Sequence, residues 1–195
     1  MPRAVRMVPP MGFLHVMCRG NNRRELFRYQ KDFQVYRLIL NKIKNEERVN
    51  IFHYCLMPNH VHILVGIDCE SNLSLFMKRM NLKYFYYFNR RYGYVGHLWQ
   101  DRFKSKIVKD KPYFLQCGKY IELNPVRAGI VQSPNDYCHS SYLHYASGLE
   151  DMLIDDDPLY LALSSNISKR QLFYRNMIIT EEVARTFTYK IKPPS

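Results

Sequence analysis

The chain has 195 residues, enough for one domain or one domain with an extension. Its 47% hydrophobic and 14% aromatic content excludes intrinsic disorder. No run approaches the ~18 apolar residues of a membrane span, and Arg3, Arg6 and Pro9-Pro10 interrupt the N-terminus where a signal peptide would be apolar. A soluble cytoplasmic protein with no membrane partner is expected. Cys18, Cys55, Cys69, Cys117 and Cys138 are odd in number and form no CxxC pair, which argues against a disulfide framework or a zinc ribbon. The net charge of +12 is uneven: residues 1–149 hold 23 Lys+Arg against 10 Asp+Glu, and residues 150–195 hold 6 against 7. Charge alone is weak evidence for a nucleic-acid partner. Basic residues interleaved with aromatics are better evidence, because a single-stranded ligand needs both phosphate neutralisation and base stacking.

Residues 12–18 read as a strand, ended by the turn-forming Arg19-Gly20-Asn21-Asn22. Asp32 is expected to cap a helix, since Phe33, Tyr36, Leu40 and Ile43 follow at helical spacing. Residues 51–56 form a second strand, and Pro58-Asn59 turns the chain into a third over 60–67. Ser71-Asn72 caps a long helix with the stripe Leu73, Phe76, Met77, Met80 and Tyr84, and Gly93 stops it. The run Tyr84-Phe85-Tyr86-Tyr87-Phe88 holds more rings than one buried face absorbs, so some should meet another element or a ligand. Residues 98–108 contain a fourth strand with Arg102, Lys104 and Lys106. Asp110 and Pro112 start a helix that carries Phe114, Cys117, Tyr120 and Ile121 and that Pro125 ends. Past Ser133, aromatic segments and an acidic loop over 150–157 lead into helical stretches near 158–163 and 169–179. The order β-α-β-β-α-β predicts an α+β fold: a ferredoxin-like (RRM-like) sandwich, with an added helix carrying Tyr120 and a C-terminal helical extension.

Within this order, His60-Val61-His62 is the most informative pattern. Strand side chains alternate, so His60 and His62 point one way while Val61, Ile63 and Val65 point the other. One face can pack a core while the other holds a divalent metal. Tyr120 and Asn124 stand four apart on a helix and are neighbours on one face. Asn124 precedes Pro125, which disfavours helical backbone there and makes that spacing approximate. Two neutral imidazoles and the Asn124 amide oxygen make a moderately hard, incomplete shell that suits Mg²⁺ or Mn²⁺; ligand type alone also admits zinc. A tyrosine beside a metal-polarised phosphate can attack phosphorus, so the constellation points to DNA cleavage through a phosphotyrosine bond. A phenol with pKa about 10 needs the metal or basic neighbours to lose its proton.

None of these signals is specific alone. A His-x-His is more often structural than metal-binding, the chain has 16 tyrosines, and Asn-Pro is a common turn. A histidine-triad hydrolase would need a third alternating histidine where Leu64 stands, and the zincin pattern His-Glu-x-x-His is absent. His139-Ser140-Ser141 matches a two-histidine phosphoesterase motif by spelling, but lacks flanking strand residues.

Several segments in register carry a family resemblance along nearly the whole chain. They are Gly12-Phe13-Leu14-His15-Val16 with Arg19-Gly20-Asn21, Met57-Pro58-Asn59-His60-Val61-His62, and Phe88-Asn89-Arg90-Arg91-Tyr92. Gly96-His97-Leu98-Trp99-Gln100-Asp101-Arg102-Phe103-Lys104-Ser105 and Tyr120-Ile121-Glu122-Leu123-Asn124-Pro125-Val126-Arg127-Ala128-Gly129 follow, with Ser140-Ser141-Tyr142 beyond. The sequence resembles the single-tyrosine HUH endonucleases of the prokaryotic transposase type, in particular the REP-associated tyrosine transposases. The resemblance implies that His60, His62 and Asn124 hold Mg²⁺ or Mn²⁺, that Tyr120 is the nucleophile, and that the partner is single-stranded or hairpin DNA. It implies a 5′-phosphotyrosyl intermediate with a free 3′-OH, resolved by strand transfer. Compact members usually carry Gln four residues after the tyrosine; the Asn here fits the repeat-associated branch, which often lacks mobile-element ends of its own. The expected division is a catalytic domain over 1–132 and a mostly helical extension over 133–195 packed on it.

Arg19, Asn21, Arg102, Lys104 and Lys106 are the candidates for DNA contacts, with solvated surface charge as the alternative for each, while Trp99 is expected to anchor the core. Compact relatives swap the tyrosine helix within a dimer and the longer branch can be monomeric, so a monomer or a homodimer fits. The competing reading is a domesticated hairpin-binding protein that no longer cuts. An RNA-binding module on the same fold would want aromatics on the open face of its first and third strands, where the third strand offers histidines instead.

Overall fold

The computed structural model describes residues 9–155 and 157–179. The first eight residues, where part of the N-terminal reading falls, and the end of the extension from 180 on lie outside the described residues. The elements are β1 (Gly12–Arg19), α1 (Gln30–Glu46), β2 (Asn50–Met57), β3 (His60–Ile67), α2 (Leu73–Tyr92), β4 (Lys104–Val108) and α3 (Lys111–Glu122). The short α4 (Asn124–Arg127), α5 (Tyr142–Ser147) and α6 (Pro158–Leu161) follow, then α7 (Ile167–Ile179). The four strands form one antiparallel sheet in the order β2-β3-β1-β4, the ferredoxin-like arrangement expected from the element order.

Local chemistry sets most boundaries. The Asn72 side chain accepts from the Leu75 N–H at the start of α2, and Gly93 closes that helix in the left-handed conformation with φ 58°. The Asp110 side chain accepts from the Tyr113 N–H to start α3. Three expectations need correction. α1 begins at Gln30, two residues before Asp32, and Asp32 acts from inside the first turn by accepting from the Arg28 and Tyr29 N–H groups at 2.8 and 3.0 Å. β4 begins at Lys104, so Arg102 precedes the strand. Pro125 does not end α3, which stops at Glu122; it lies in the first turn of α4, where a residue with no N–H costs no helical hydrogen bond.

The register assigns each side chain to a face. Leu14, Val16, Tyr54, Leu56, Val61, Ile63 and Val65 share one face with α1 and α2, and Phe33, Tyr36, Leu40, Ile43, Phe76, Met77, Met80 and Tyr84 complete that core. Each large side chain buried here contributes roughly 1.5–3 kcal/mol. Trp99 packs against this core and donates its indole N–H to the Asn81 carbonyl at 3.0 Å, the anchoring role expected of it. In the aromatic run, Tyr84 and Phe88 are buried, Tyr87 bonds the buried Asp32 carboxylate, and Tyr86 is exposed.

The opposite face carries Phe13, His15 and Met17 on β1, His60, His62 and Leu64 on β3, and His53, Cys55 and Met57 on β2. α3 lies across it, packing Phe114, Cys117 and Ile121 against Phe52, Cys55, Met57 and Leu64. The close approach depends on Gly118: a Cβ there would stand 2.7 Å from His53 Nε2. All five cysteines are free thiols, and among the described residues no helix is long and apolar enough to cross a membrane.

The chain after α4 runs along the outer edge of β2. Tyr137 Oη donates to the Leu56 carbonyl, the Leu56 N–H to His139 O, the Ser141 N–H to Tyr54 O, and Tyr145 Oη to Phe52 O. Further along, the Ile51 N–H donates to the Asp155 carboxylate, and the Asp155 N–H returns to Ile51 O at 2.8 Å. His139-Ser140-Ser141 is therefore an edge segment of the sheet, where the sequence offered only a spelling match.

Candidate active site

β3 is a central strand, and its alternation places His60 and His62 on the face beneath α3 with ring centroids 4.9 Å apart. Burial, helped by the Arg19 charge, lowers the His60 pKa to about 4. Burial, helped by the charges of His15 and His60, takes His62 well below its ordinary value. Both imidazoles are neutral at physiological pH, the form a metal binds. His60 Nδ1 lies 2.6 Å from Asn59 Oδ1. A carbonyl oxygen only accepts, so Nδ1 carries the proton and Nε2 keeps its lone pair. His62 Nδ1 lies 2.9 Å from His15 Nε2. With Nδ1 of His62 donating, its Nε2 is free in the same way, the orientation an outer hydrogen bond gives a metal-binding imidazole.

The structure brings Tyr120 onto His62 from the same chain. Its ring meets His15 and His62 edge to face, at centroid distances of 5.8 and 5.7 Å. Although α3 ends at Glu122, the bonds Leu123 N–H to Lys119 O and Ala128 N–H to Asn124 O carry the helical path through the break, so Tyr120 and Asn124 stay on adjacent turns. The Asn124 amide N–H donates to Tyr120 O at 2.8 Å, leaving Oδ1 as its lone-pair atom. Burial raises the Tyr120 pKa, and the Arg127 guanidinium, 5.1 Å from the ring, and the Asn124 side chain oppose that rise.

Among the described residues, no group of three or more His, Cys, Asp or Glu side chains could hold a metal ion. A cation held by His60, His62 and Asn124 would have two neutral imidazoles and one amide oxygen, with no carboxylate. By donor type such a set would suit a weakly held divalent cation with ligand positions left for phosphate and water.

Cations surround the site. Arg19 pairs in register with His60, Lys106 with His15, and Lys104 with Met17. Arg19, Arg102 and Lys104 line one cleft with Met17, Cys18, Gln100 and Asp101. Lys106 stands apart from that cleft, its ammonium 5.1 Å from the Tyr113 ring centroid. Asn21 sits beyond the end of β1, where its N–H donates to Leu98 O.

Two buried groups carry no role in the sequence reading. His15 is fully buried at the centre of β1, with its pKa lowered to about 3 by burial and by the Lys106 charge. Its alternation with Leu14 and Val16 was the available signal. The other is Glu122, also fully buried, two residues after Tyr120. Its partners lie on β2, at Ser141 and on α7, and no local pattern reveals them.

This fold and face define a class: a ferredoxin-like sandwich in which a tyrosine-bearing helix crosses a histidine pair on the sheet. The family model described as "Transposase IS200 like" matches residues 12–124, and the chain belongs to that family. A Haemophilus influenzae protein named as a REP-associated tyrosine transposase is 22% identical over 120 residues, covering 53% of this chain and 68% of its own length. A solved REP-associated tyrosine transposase bound to a REP hairpin superposes with a TM-score of 0.65 at 21% identity, covering 80% of this chain and 93% of that one.

Proposed function

We propose that this protein is a REP-associated tyrosine transposase that cuts and rejoins single-stranded DNA beside a hairpin, in the cytoplasm, through a covalent bond between Tyr120 and a 5′ phosphate. The observation that carries this reading is the packing of the Tyr120 ring against His15 and His62 on a face ringed by Arg19, Lys104, Lys106 and Arg127. A helix anchored only for stability needs neither two neutral imidazoles beneath it nor cations around them. The hairpin partner is suggested by the solved neighbour's ligand.

His60, His62 and Asn124 would hold a divalent cation, Mg²⁺ or Mn²⁺, whose charge would polarise the phosphate. The basic rim draws the backbone in and fixes its register. Tyr120 Oη attacks phosphorus in line: the Oη–P bond forms as the P–O3′ bond breaks, and the phenol loses a proton as the departing 3′ oxygen gains one. Burial keeps the resting phenol protonated, and Arg127 and Asn124 favour the phenolate as it develops. A 3′-OH attacking the phosphotyrosine reverses the exchange, so strands are rejoined without hydrolysis.

The test is a denaturing gel of the protein with single-stranded hairpin oligonucleotides from repeats in the source genome, in Mn²⁺ or EDTA. A metal-dependent protein–DNA adduct is expected, and Tyr120→Phe and His62→Ala should each abolish it. Tight hairpin binding with no adduct would replace this reading with that of a binding protein that does not cut.

A further inference from the structure

Glu122 is a carboxylate with no exposure to water, and both of its oxygens are taken. Oε1 lies 3.0 Å from His53 Nδ1 and accepts from Ser141 Oγ at 2.6 Å, while Oε2 accepts from Tyr174 Oη at 2.6 Å. His53 is held on its other side by Asp157, 3.4 Å from Nε2, and Gly118 of α3 lies against the same ring. The partners of one side chain at the end of the tyrosine helix thus come from β2, from the strap along the sheet edge and from α7. A carboxyl group is costly to bury unless its oxygens are bonded, so this bonded set resists displacement. Cys117 and Ile121, which pack on the sheet, could slide by small steps; a bonded carboxylate at this position could not.

We propose that Glu122 is a positioning residue for Tyr120: by binding His53, Ser141 and Tyr174 it locks the last turn of α3, so that the phenol stays over the histidines of its own chain. The inference builds on the proposed role of Tyr120, but one arm of its test does not need that role to be right. Ser141 and Tyr174 are then part of the site's construction, acting through Glu122 without touching the reacting atoms.

The test places 3-fluorotyrosine at position 120 and records the ¹⁹F spectrum of the full chain without metal or DNA. The parent should give one narrow resonance displaced by the imidazole rings, and Glu122→Ala should move it toward the position of free fluorotyrosine and broaden it. Glu122→Gln, which keeps the acceptor oxygen and the shape, should restore most of the displacement. In the Mn²⁺ and hairpin assay, Glu122→Ala should slow adduct formation by on the order of a hundredfold, because a misplaced nucleophile loses its near-attack geometry. Hairpin affinity should stay within about twofold. Should Glu122→Ala fail to fold, Tyr174→Phe removes one of the bonds and should produce a smaller shift in the same direction. An unshifted resonance in Glu122→Ala, or in Tyr174→Phe if the first does not fold, overturns the proposal even when the parent forms no adduct. A parent that forms no adduct but shows the shifts would overturn only the catalytic reading.

Discussion

The two faces of the sheet are built from different groups. Under α1 and α2 the strands present Leu14, Val16, Val61, Ile63 and Val65; under α3 they present His15, His53 and His62 at comparable burial. The aliphatic face obtains its stability from area removed from water. Buried imidazoles obtain theirs only if every ring nitrogen is bonded or kept neutral. They solve this in two ways: His15 and His62 are neutral and bond each other, whereas His53 sits between two carboxylates. Burial pulls the His53 pKa down, but contacts with Asp157 and Glu122 outweigh it and raise the value to about 9. One face is therefore held by apolar burial, while the other carries the bonded His15–His62 pair and a His53 held between Glu122 and Asp157.

That contrast can be broken most severely at the anchor. His53→Gln should leave two buried carboxylates without their cation and cost about 3–5 kcal/mol, read from urea unfolding. A loss below 1 kcal/mol would mean that His53 is neutral in the folded protein. On the aliphatic face, Ile63→Ala should cost about 3 kcal/mol while leaving the Mn²⁺ affinity of the folded protein unchanged, as measured by electron paramagnetic resonance of the free ion. The neighbouring His62→Ala should do the reverse, losing Mn²⁺ binding for a smaller change in stability. Equal effects of the two on both readouts would abolish the distinction between the faces.

The pH dependence sharpens the same division. His53 has its folded pKa raised from about 6.5 to about 9. Its contribution is complete below pH 6.5 and is lost as pH rises through 9, with a slope of up to about 1.4 kcal/mol per pH unit. His15 and His60 are shifted the other way, to about 3 and about 4, so the unfolded chain takes up protons first and stability falls as pH drops below 6.5. Metal-free protein should be most stable near pH 6.5, and His53→Gln should flatten only the alkaline limb. The smallest expected effect is at the rim: Lys104→Ala should weaken hairpin binding a few-fold and reduce the slope of log K against log salt by about 1.

Much of this was legible in the sequence, where the signal is local. The third strand, the histidine alternation and the Asn72 and Gly93 helix ends follow from period and capping chemistry within a few residues. The placement of Tyr120 over the histidines followed from element order combined with face assignment. What the sequence hid depends on distant partners. Glu122 looks like a solvated helix residue until Ser141 and Tyr174 are brought to it, and His139 to Ser141 carry no strand signature because they add only their backbone to an existing edge. Asp32 is ambiguous for a different reason: a carboxylate can satisfy the first N–H groups of a helix from the cap or from three residues inside, and the sequence looks alike in both cases.

The strap along β2 also bears on how the molecule behaves in a crowded cell. An open sheet has two unpaired borders, each a template onto which another chain can add a strand. Here one border is occupied by the protein's own residues from Tyr137 to Asp155, which bond the backbone of Ile51, Phe52, Tyr54 and Leu56. The other is the short β4, only five residues long, which carries the exposed Lys104 and Lys106. The lysines proposed to meet DNA thus also put charge on the open border, a device that disfavours pairing with a like edge, and a substitution that neutralised both should favour edge-to-edge association.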